Sequence, residues 1–461
     1  METEFEEMIW VFRAAIVVLL LMSSGVALAQ LMPGNLTGAD LSNPVPVPLK
    51  LSLRDAVRLA LKQNPEVQIA NINLAESQQR RAISRSRLLP QLAASGSIGV
   101  HRTNLATLLG KPAPEGVADT HGFQVVEAGA EASLPVFDLT LWHRYKSAAF
   151  AVRASNQQRL GVREKTVLLV VSQYLGSLRA QARVRAAQSR VDLAHALFKL
   201  AADRENTGVG IKLDTLRAQV ELQNETQQLI TAQTDLKTSL NGLERLLSID
   251  PQQPIELADE MSFFETPTAD LGESLSRAYR ARPELRALSE QERAAHQEKR
   301  AAADSRLPSV VAEGDWGYGG LQFSNTVSVY RYAVGIRVPL FTSGRIKAEA
   351  AEANLRVRNI RKQEEADRDQ IALDVKDAHA RLQSARHEVD VANLGMQLAQ
   401  EEVTQARDRF QNGVANNIDV ITAQDELARA SDNQINALYQ YNQSRADLAH
   451  AMGNIEAAYS R

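Results

Sequence analysis

From Ile371 to Phe410 the apolar residues recur at alternating spacings of four and three: Ile371, Val375, Ala378, Leu382, Ala385, Val389, Ala392, Met396, Ala399, Val403, Ala406 and Phe410. This is a coiled-coil seam, and the alternation of alanine with larger residues lets helix backbones approach closely. Val184, Ala187, Val191, Ala194, Phe198 and Ala201 carry the same pattern upstream. The stretch from Asp138 to Asn206 predicts a single helix, roughly 100 Å long at ~1.5 Å per residue. Such a length cannot be buried inside a compact monomer, so it implies a tube or a stalk. The heptads alone fit an ordinary long helical hairpin equally well.

A different period interrupts the helices. Leu92, Ala94, Gly96, Ile98 and Val100 alternate with Gln91, Ala93, Ser95, Ser97 and Gly99. Val126, Ala128, Ala130, Ala132 and Leu134 alternate with Val125, Glu127, Gly129, Glu131 and Ser133. Two further segments set Val310, Ala312, Trp316 and Tyr318 against Glu313 and Asp315, and Tyr330, Tyr332, Val334, Ile336 and Val338 against Arg331 and Arg337. Strands are therefore expected at about 91–101, 123–134, 309–318 and 326–338. Each has the length of a tilted membrane-spanning strand, about ten residues. A half-buried soluble sheet would give the same alternation.

The two patterns occur twice in one order: short helix, helix, strand pair, very long helix, tight turn, long helix. Asn64-Pro65-Glu66 recurs as Arg282-Pro283-Glu284, and Arg87-Leu88-Leu89-Pro90 as Ser305-Arg306-Leu307-Pro308, both at an offset of 218 residues. Leu134-Pro135-Val136-Phe137 recurs as Val338-Pro339-Leu340-Phe341 at an offset of 204. Gly208-Val209, Asp214 and Ala218-Gln219 recur as Gly413-Val414, Asp419 and Ala423-Gln424 at 205. The expected organisation is an extended proline-rich arm at 30–50, a first repeat at 51–248, a joining segment at 249–270, a second repeat at 271–453 and a short tail at 454–461. The change of offset places an insertion between the first pair of strands, in a loop between His101 and His121.

Composition narrows the chemistry. Hydrophobic residues make up 44% of the chain but aromatics only 5%, which suits closely packed helices better than an aromatic-rich core. There is no cysteine, so disulfides, zinc-thiolate sites, cysteine catalysis and an N-terminal lipidated cysteine are excluded. Ala14 to Met22 is an apolar run preceded by Arg13 and followed by Ala27-Leu28-Ala29, which predicts an export signal at 1–29. Glu2, Glu4, Glu6 and Glu7 depart from that pattern, and a start at Met8 would remove them. A single membrane anchor is the other reading of the run. Removing the signal takes away four acids and one base, which leaves acids and bases in balance, and nothing suggests nucleic acid. No later run is apolar enough for a helical span, so a bilayer would have to be crossed by strands. Four strands cannot close a barrel, because closure needs at least about eight; three chains would supply enough.

The duplicated layout, with the turn motifs Arg204-Glu205-Asn206-Thr207-Gly208-Val209 through Asp214 and Arg409-Phe410-Gln411-Asn412-Gly413-Val414 through Asp419-Val420-Ile421-Thr422-Ala423-Gln424, resembles the TolC-like outer membrane efflux protein family over essentially the whole mature chain. The resemblance implies a mostly α fold with a transmembrane β-barrel part. A homotrimer would form a twelve-strand barrel in outer membrane lipid and a twelve-helix coiled-coil tunnel in the periplasm, with an equatorial belt near 249–270 and the C-terminal end. It also implies a periplasmic adapter, an inner-membrane pump, no cofactor and no metal.

For particular residues, the resemblance implies that Arg204, Gly208, Val209, Arg409, Gly413 and Val414 form tip turns that touch the adapter. Asp419, Asp214, Phe410 and Thr422 fall at the periplasmic aperture. Three copies of Asp419 would make a carboxylate ring attracting cations, with Thr422 standing where some relatives have a second Asp; alternatively Asp419 caps its helix. Asp214 matches a position that relatives latch to a Tyr and an Arg, but Phe410 and Ala415 occupy those places and cannot make those bonds. Arg204 and Arg409 serve the adapter joint or are solvated surface residues. There is no phosphate loop, nucleophile elbow or HExxH, so no enzyme is expected. His379 and His387 with Asp374 and Asp377 fit a charged helix face better than a metal site, while His101 and His121 could both lie on the outer loop. The expected function is a passive exit duct of a tripartite efflux or type I secretion system, and the alternative is an exported coiled-coil stalk or adhesin.

Overall fold

The computed structural model describes residues 48–101, 122–263, 270–414 and 416–460. The export segment, nearly all of the arm, residues 102–121 of the outer loop and Ala415 lie outside them. In the first repeat the order is β1 (Leu49–Leu51), α1 (Leu53–Gln63), α2 (Pro65–Ser86), β2 (Gln91–His101), β3 (Phe123–Phe137), α3 (Leu139–Asn206) and α4 (Lys212–Leu247). A short strand β4 (Ile255–Leu257) in the joining segment precedes the second repeat: α5 (Leu271–Ala281), α6 (Pro283–Asp304), β5 (Ser309–Gly320), β6 (Thr326–Arg337), α7 (Arg345–Gln411) and α8 (Asn417–Ala451). The tail carries α9 (Ile455–Tyr459).

The helix boundaries have local causes. Asp138 caps α3 by accepting from the Leu141 amide at 3.0 Å. Pro65 and Pro283 sit at the first turns of α2 and α6, where a missing amide hydrogen costs nothing. The seam of α7 is the buried side of the helix: Ile371, Val375, Ala378, Leu382, Ala385, Val389, Ala399, Val403 and Phe410 are all buried. On α3 the matching layer is Ala187, Ala194 and Ala201. In both repeats the second half of the very long helix packs along its antiparallel partner, α4 on α3 and α8 on α7. Their first halves pack instead on α2 and α6, and α6 lies against both α3 and α7. Arg190 of α3 ties to Glu225 of α4 at 3.0 Å, and Arg183 to Asn436 of α8 at 3.2 Å.

Where these halves meet, β1 and β4 pair in parallel, Leu49 opposite Ile255 and Leu51 opposite Leu257. Val167, Val170, Val171, Tyr174, Leu243 and Leu247 pack a core with Leu51 and Ile455 around this ribbon. The Tyr174 hydroxyl is bonded at 2.9 Å to both the Leu51 carbonyl and Asp259, whose Oδ2 also accepts from the Leu53 amide at 2.7 Å. Burial, and then Asp259, raise the Tyr174 phenol above its ordinary range.

The strands form one antiparallel four-stranded sheet in the order β2-β3-β5-β6, so both hairpins join through β3 and β5. Two strands run longer than their alternation suggests, β3 to Phe137 and β5 to Gly320. No helix among the described residues is long and apolar enough to cross a membrane.

Candidate functional site

The register of the sheet decides what its faces carry. One row runs Ala94–Ala130–Trp316–Tyr330, and the row beside it Leu92–Ala132–Gly314–Tyr332. Paired residues share a face, so the apolar positions of all four strands add up to one continuous surface. It is uncovered: Leu92, Val100, Tyr330, Tyr332, Val334 and Ile336 are each at least 70% exposed. The rows between carry the charge, with Ala93–Glu131–Asp315–Arg331 and Gln91–Ser133–Glu313–Ala333. Arg331 is held to Asp315 at 2.8 Å. A bulge between Pro135 and Phe137 shifts the register by one residue and pairs Phe137 with Val310, which returns its ring to the apolar face.

Among the described residues the edges β2 and β6 have no partner strand, and successive strands of the sheet alternate in direction. A second copy's β2 set beside β6 would therefore continue the antiparallel order. The helices also leave apolar faces uncovered: Leu213, Leu216, Val220 and Ile230 on α4, and Val391, Leu394 and Leu398 on α7. Both sets follow heptad spacing.

The two helical turns adopt one geometry. Gly208 and Gly413 have φ of 78° and 75°, the left-handed conformation that a side chain disfavours. The Val209 amide reaches back to the Arg204 carbonyl at 3.0 Å, and Gly208 to Glu205 at 3.0 Å. Val414 to Arg409 at 2.9 Å and Gly413 to Phe410 at 3.1 Å repeat the pattern, which is the Schellman closure of a helix end. Val209 and Val414, which follow the turn glycines, are each 71% exposed.

Between the turns lies a small core of Leu197, Ala201, Ala218, Phe410 and Val420. Phe410 is buried, and Arg204 turns inward over it: its guanidinium lies 4.9 Å from the ring centroid and donates to the Phe410 carbonyl at 2.6 Å. A reciprocal bond crosses the other way, where buried Asn417 donates to the Asp214 carbonyl at 3.0 Å. The Asp214 side chain stays on its own helix, 3.9 Å from Arg217. Asp419 and Thr422 are exposed on one face of α8. Asn416, not Asp419, caps that helix, by accepting from the Asp419 amide at 3.1 Å. Arg409 is exposed. One turn of helix further on, burial pushes the Glu221 carboxyl up, helped by Asp425 and Glu225.

Sequence reasoning missed Asn416 and Asn417; the adjoining asparagines ahead of an apolar run were the available signal. It also left Arg204 outside the turn core, because nothing in the residue type says whether a cation reaches out or folds back. His143, likewise not singled out, sits 3.2 Å from Asp304 and 2.9 Å from Gln297, fastening α3 to α6 beneath the sheet. Among the described residues no cluster of three or more acids and histidines is arranged to hold a metal.

The family model for outer membrane efflux proteins matches the chain twice, over residues 56–248 and 274–454. The alkaline protease secretion protein AprF of Pseudomonas aeruginosa is 24% identical over 419 residues, 88% of this chain and 85% of the relative. The pyoverdine export outer membrane protein OpmQ of the same organism is 23% identical, over 87% and 85%. The solved outer membrane channel CmeC of Campylobacter jejuni superposes with a TM-score of 0.76 at 18% identity, covering 87% of this chain and 86% of that one.

Proposed function

The chain belongs to the outer membrane efflux protein family, and on that premise we propose that three copies pool their sheets into one closed barrel, the exit duct of a pump-driven export system. It is an outer-membrane protein that extends into the periplasm and conducts cargo outward. The observation that carries the barrel is the sheet itself: one face apolar and bare, the other charged, with two unpaired edges of opposite direction. In hydrocarbon those edges would leave amides and carbonyls without partners, at several kcal/mol each, and only closure removes the cost. Three sheets of four strands supply twelve, enough for a water-filled lumen lined by the Glu131, Asp315 and Arg331 rows. A closed ring requires two different faces per subunit, and the bare heptad stripes on α4 and α7 supply such a pair below the sheet. Four helix segments per chain at each level would then form the twelve-helix tunnel.

The tip turns suit an adapter. Val209 and Val414 offer paired apolar knobs that water does not favour, and Arg409 is exposed beside one of them, with no ion pair among the described residues. Arg204 belongs to a different task. Its grip on Phe410, with the Asn417 bond, fastens the α3–α4 hairpin to the α7–α8 hairpin and replaces the Tyr–Arg latch that Phe410 and Ala415 cannot make. Opening would break these bonds when the adapter and pump engage. Exposed Asp419 in the first turn of α8, with its capping task taken by Asn416, supports the carboxylate ring that selects cations at the aperture. The duct needs no cofactor; energy comes from the pump, and the pump also selects the cargo.

Heat-resistant trimers in outer-membrane fractions with single-channel conductance in planar bilayers are the expected result. Soluble secreted material without conductance would support a stalk or adhesin instead. Asp419→Ala should weaken cation preference and divalent block of those channels; unchanged selectivity would remove Asp419 from the aperture.

A further inference from the structure

The end of the sheet at which the helices begin carries a cluster that neither the lumen nor the tip uses. Phe137 closes β3 on the apolar face, and α3 starts two residues later. On its first turns Trp142 and Tyr145 lie with ring centroids 5.9 Å apart, and the Lys146 ammonium sits 5.0 Å from the Trp142 ring. From α2, Arg81 donates to the Tyr145 hydroxyl at 3.2 Å and lies 5.7 Å from its ring. Arg85 is exposed one turn on. At 100° per residue, positions 142, 145 and 146 share one side of α3 while Arg144 lies on the opposite side. No salt bridge joins Arg81, Arg85 or Lys146 to an acid among the described residues. The local field is accordingly positive: a hydrogen bond and charge from Arg81, with Arg85 adding, hold the Tyr145 phenol below its ordinary value. Exposed Leu340 and Phe341 follow β6 at the same end of the sheet, at 93% and 87%.

Two rings held between three unpaired cations, at the boundary of a bare apolar sheet and a polar helical layer, match the chemistry of a lipid headgroup. We propose that this collar binds the phosphates of anionic glycerophospholipids in the periplasmic leaflet, the rings lying at headgroup depth and Arg81, Arg85 and Lys146 meeting the negative charge. The inference rests on the reading of the sheet as the membrane part. The helices place the cluster on the periplasmic side, where the leaflet is phospholipid. The chain has no cysteine to carry an acyl anchor, so headgroup contacts of this kind would contribute directly to seating the duct at a fixed depth.

The full mature trimer, reconstituted by flotation into liposomes of pure phosphatidylcholine or of phosphatidylcholine with phosphatidylglycerol, gives the test, with retained lipid counted by native mass spectrometry. Wild type should float with both and retain phosphatidylglycerol over phosphatidylcholine, a preference that fades as salt rises. The triple variant Arg81→Gln, Arg85→Gln, Lys146→Gln should float equally well and lose that preference by about tenfold or more, while Arg144→Gln keeps it. Flotation without headgroup preference, or a preference unchanged in the triple variant, would overturn the collar alone. Failure to float with phosphatidylcholine would overturn the membrane reading and the collar together.

Discussion

The two repeats solve the same joint with different chemistry. In the first, Asn64 donates to the Leu246 carbonyl at 2.9 Å, tying the start of α2 to the end of α4. In the second, Arg282 stands in the Asn64 position and donates to the His450 carbonyl at 3.2 Å, tying α6 to α8. The turns that follow also correspond: Ser248 takes a φ of 53° where Gly453 takes 70°. The same helix end is thus held through adjacent carbonyl positions, by a neutral amide in one copy and by a guanidinium in the other. The guanidinium brings company, with Asp374 at 3.3 Å and Glu284 at 3.4 Å. A duplicated scaffold keeps the geometry and lets the charge drift, and the drift sets which copy responds to mutation and to pH.

The largest contrast should come from that donor. Arg282→Ala leaves the part-exposed Asp374 and Glu284 without their cation and a carbonyl without its donor, and is expected to cost about 2 kcal/mol, against about 1 kcal/mol for Asn64→Ala. Urea unfolding midpoints of the two variants would show it, and equal losses would mean that the charges add nothing. Next come the turns. Gly453→Ala places a side chain in the left-handed region with its Cβ 3.0 Å from the Arg282 amide nitrogen, for an expected loss of about 2 kcal/mol. Ser248→Gly relieves the same backbone strain and should stabilise by about 0.5 kcal/mol.

At the tips the two copies depend on each other. Arg204→Ala removes both the ring contact and the bond to the Phe410 carbonyl, so single-channel conductance should rise severalfold; Arg409→Ala, outside the turn core, should leave it unchanged. Equal conductance in both variants would dismiss Arg204 as a latch. The smallest effect is pH dependence confined to the second joint. Burial, and then Arg282, depress the His450 pKa, against the attraction of Glu284, Asp374 and Asp447. The unfolded chain, with its ordinary value of about 6.5, takes up more protons below that pH. Stability present at neutral pH is therefore lost as the pH falls through the lower folded value. His450→Gln should flatten the melting temperature between pH 7 and pH 5, and an unchanged slope would assign it to other groups.

Much of this was legible because long periodic signals average over many residues. The α7 seam from Ile371 to Phe410 and the alternation in β2 and β6 identify their buried or apolar sides without any tertiary information. The pairing of Leu49–Leu51 with Ile255–Leu257 was not legible, since three residues carry no period and the partner lies two hundred positions away. Nor was the joining of the hairpins through β3 and β5, which the alternation leaves undetermined. The bulge at Pro135 escaped notice because a one-residue shift shows only against a partner strand. In the tip, the glycines Gly208 and Gly413 announced the turns, but the inward fold of Arg204 and the buried place of Asn417 depend on packing between repeats that no local pattern encodes.

The account stands on the edges of the sheet meeting between subunits. Since the chain has no cysteine, a cysteine at Ser95 on β2 can be paired in turn with one at Val327, Val329 or Arg331 on β6, all on the polar face. Oxidation of the membrane-inserted protein should give covalent dimers and trimers for at least one pair, and none for cysteines on β3 and β6. Intrachain bridges or monomers at every position would contradict a barrel built from three copies.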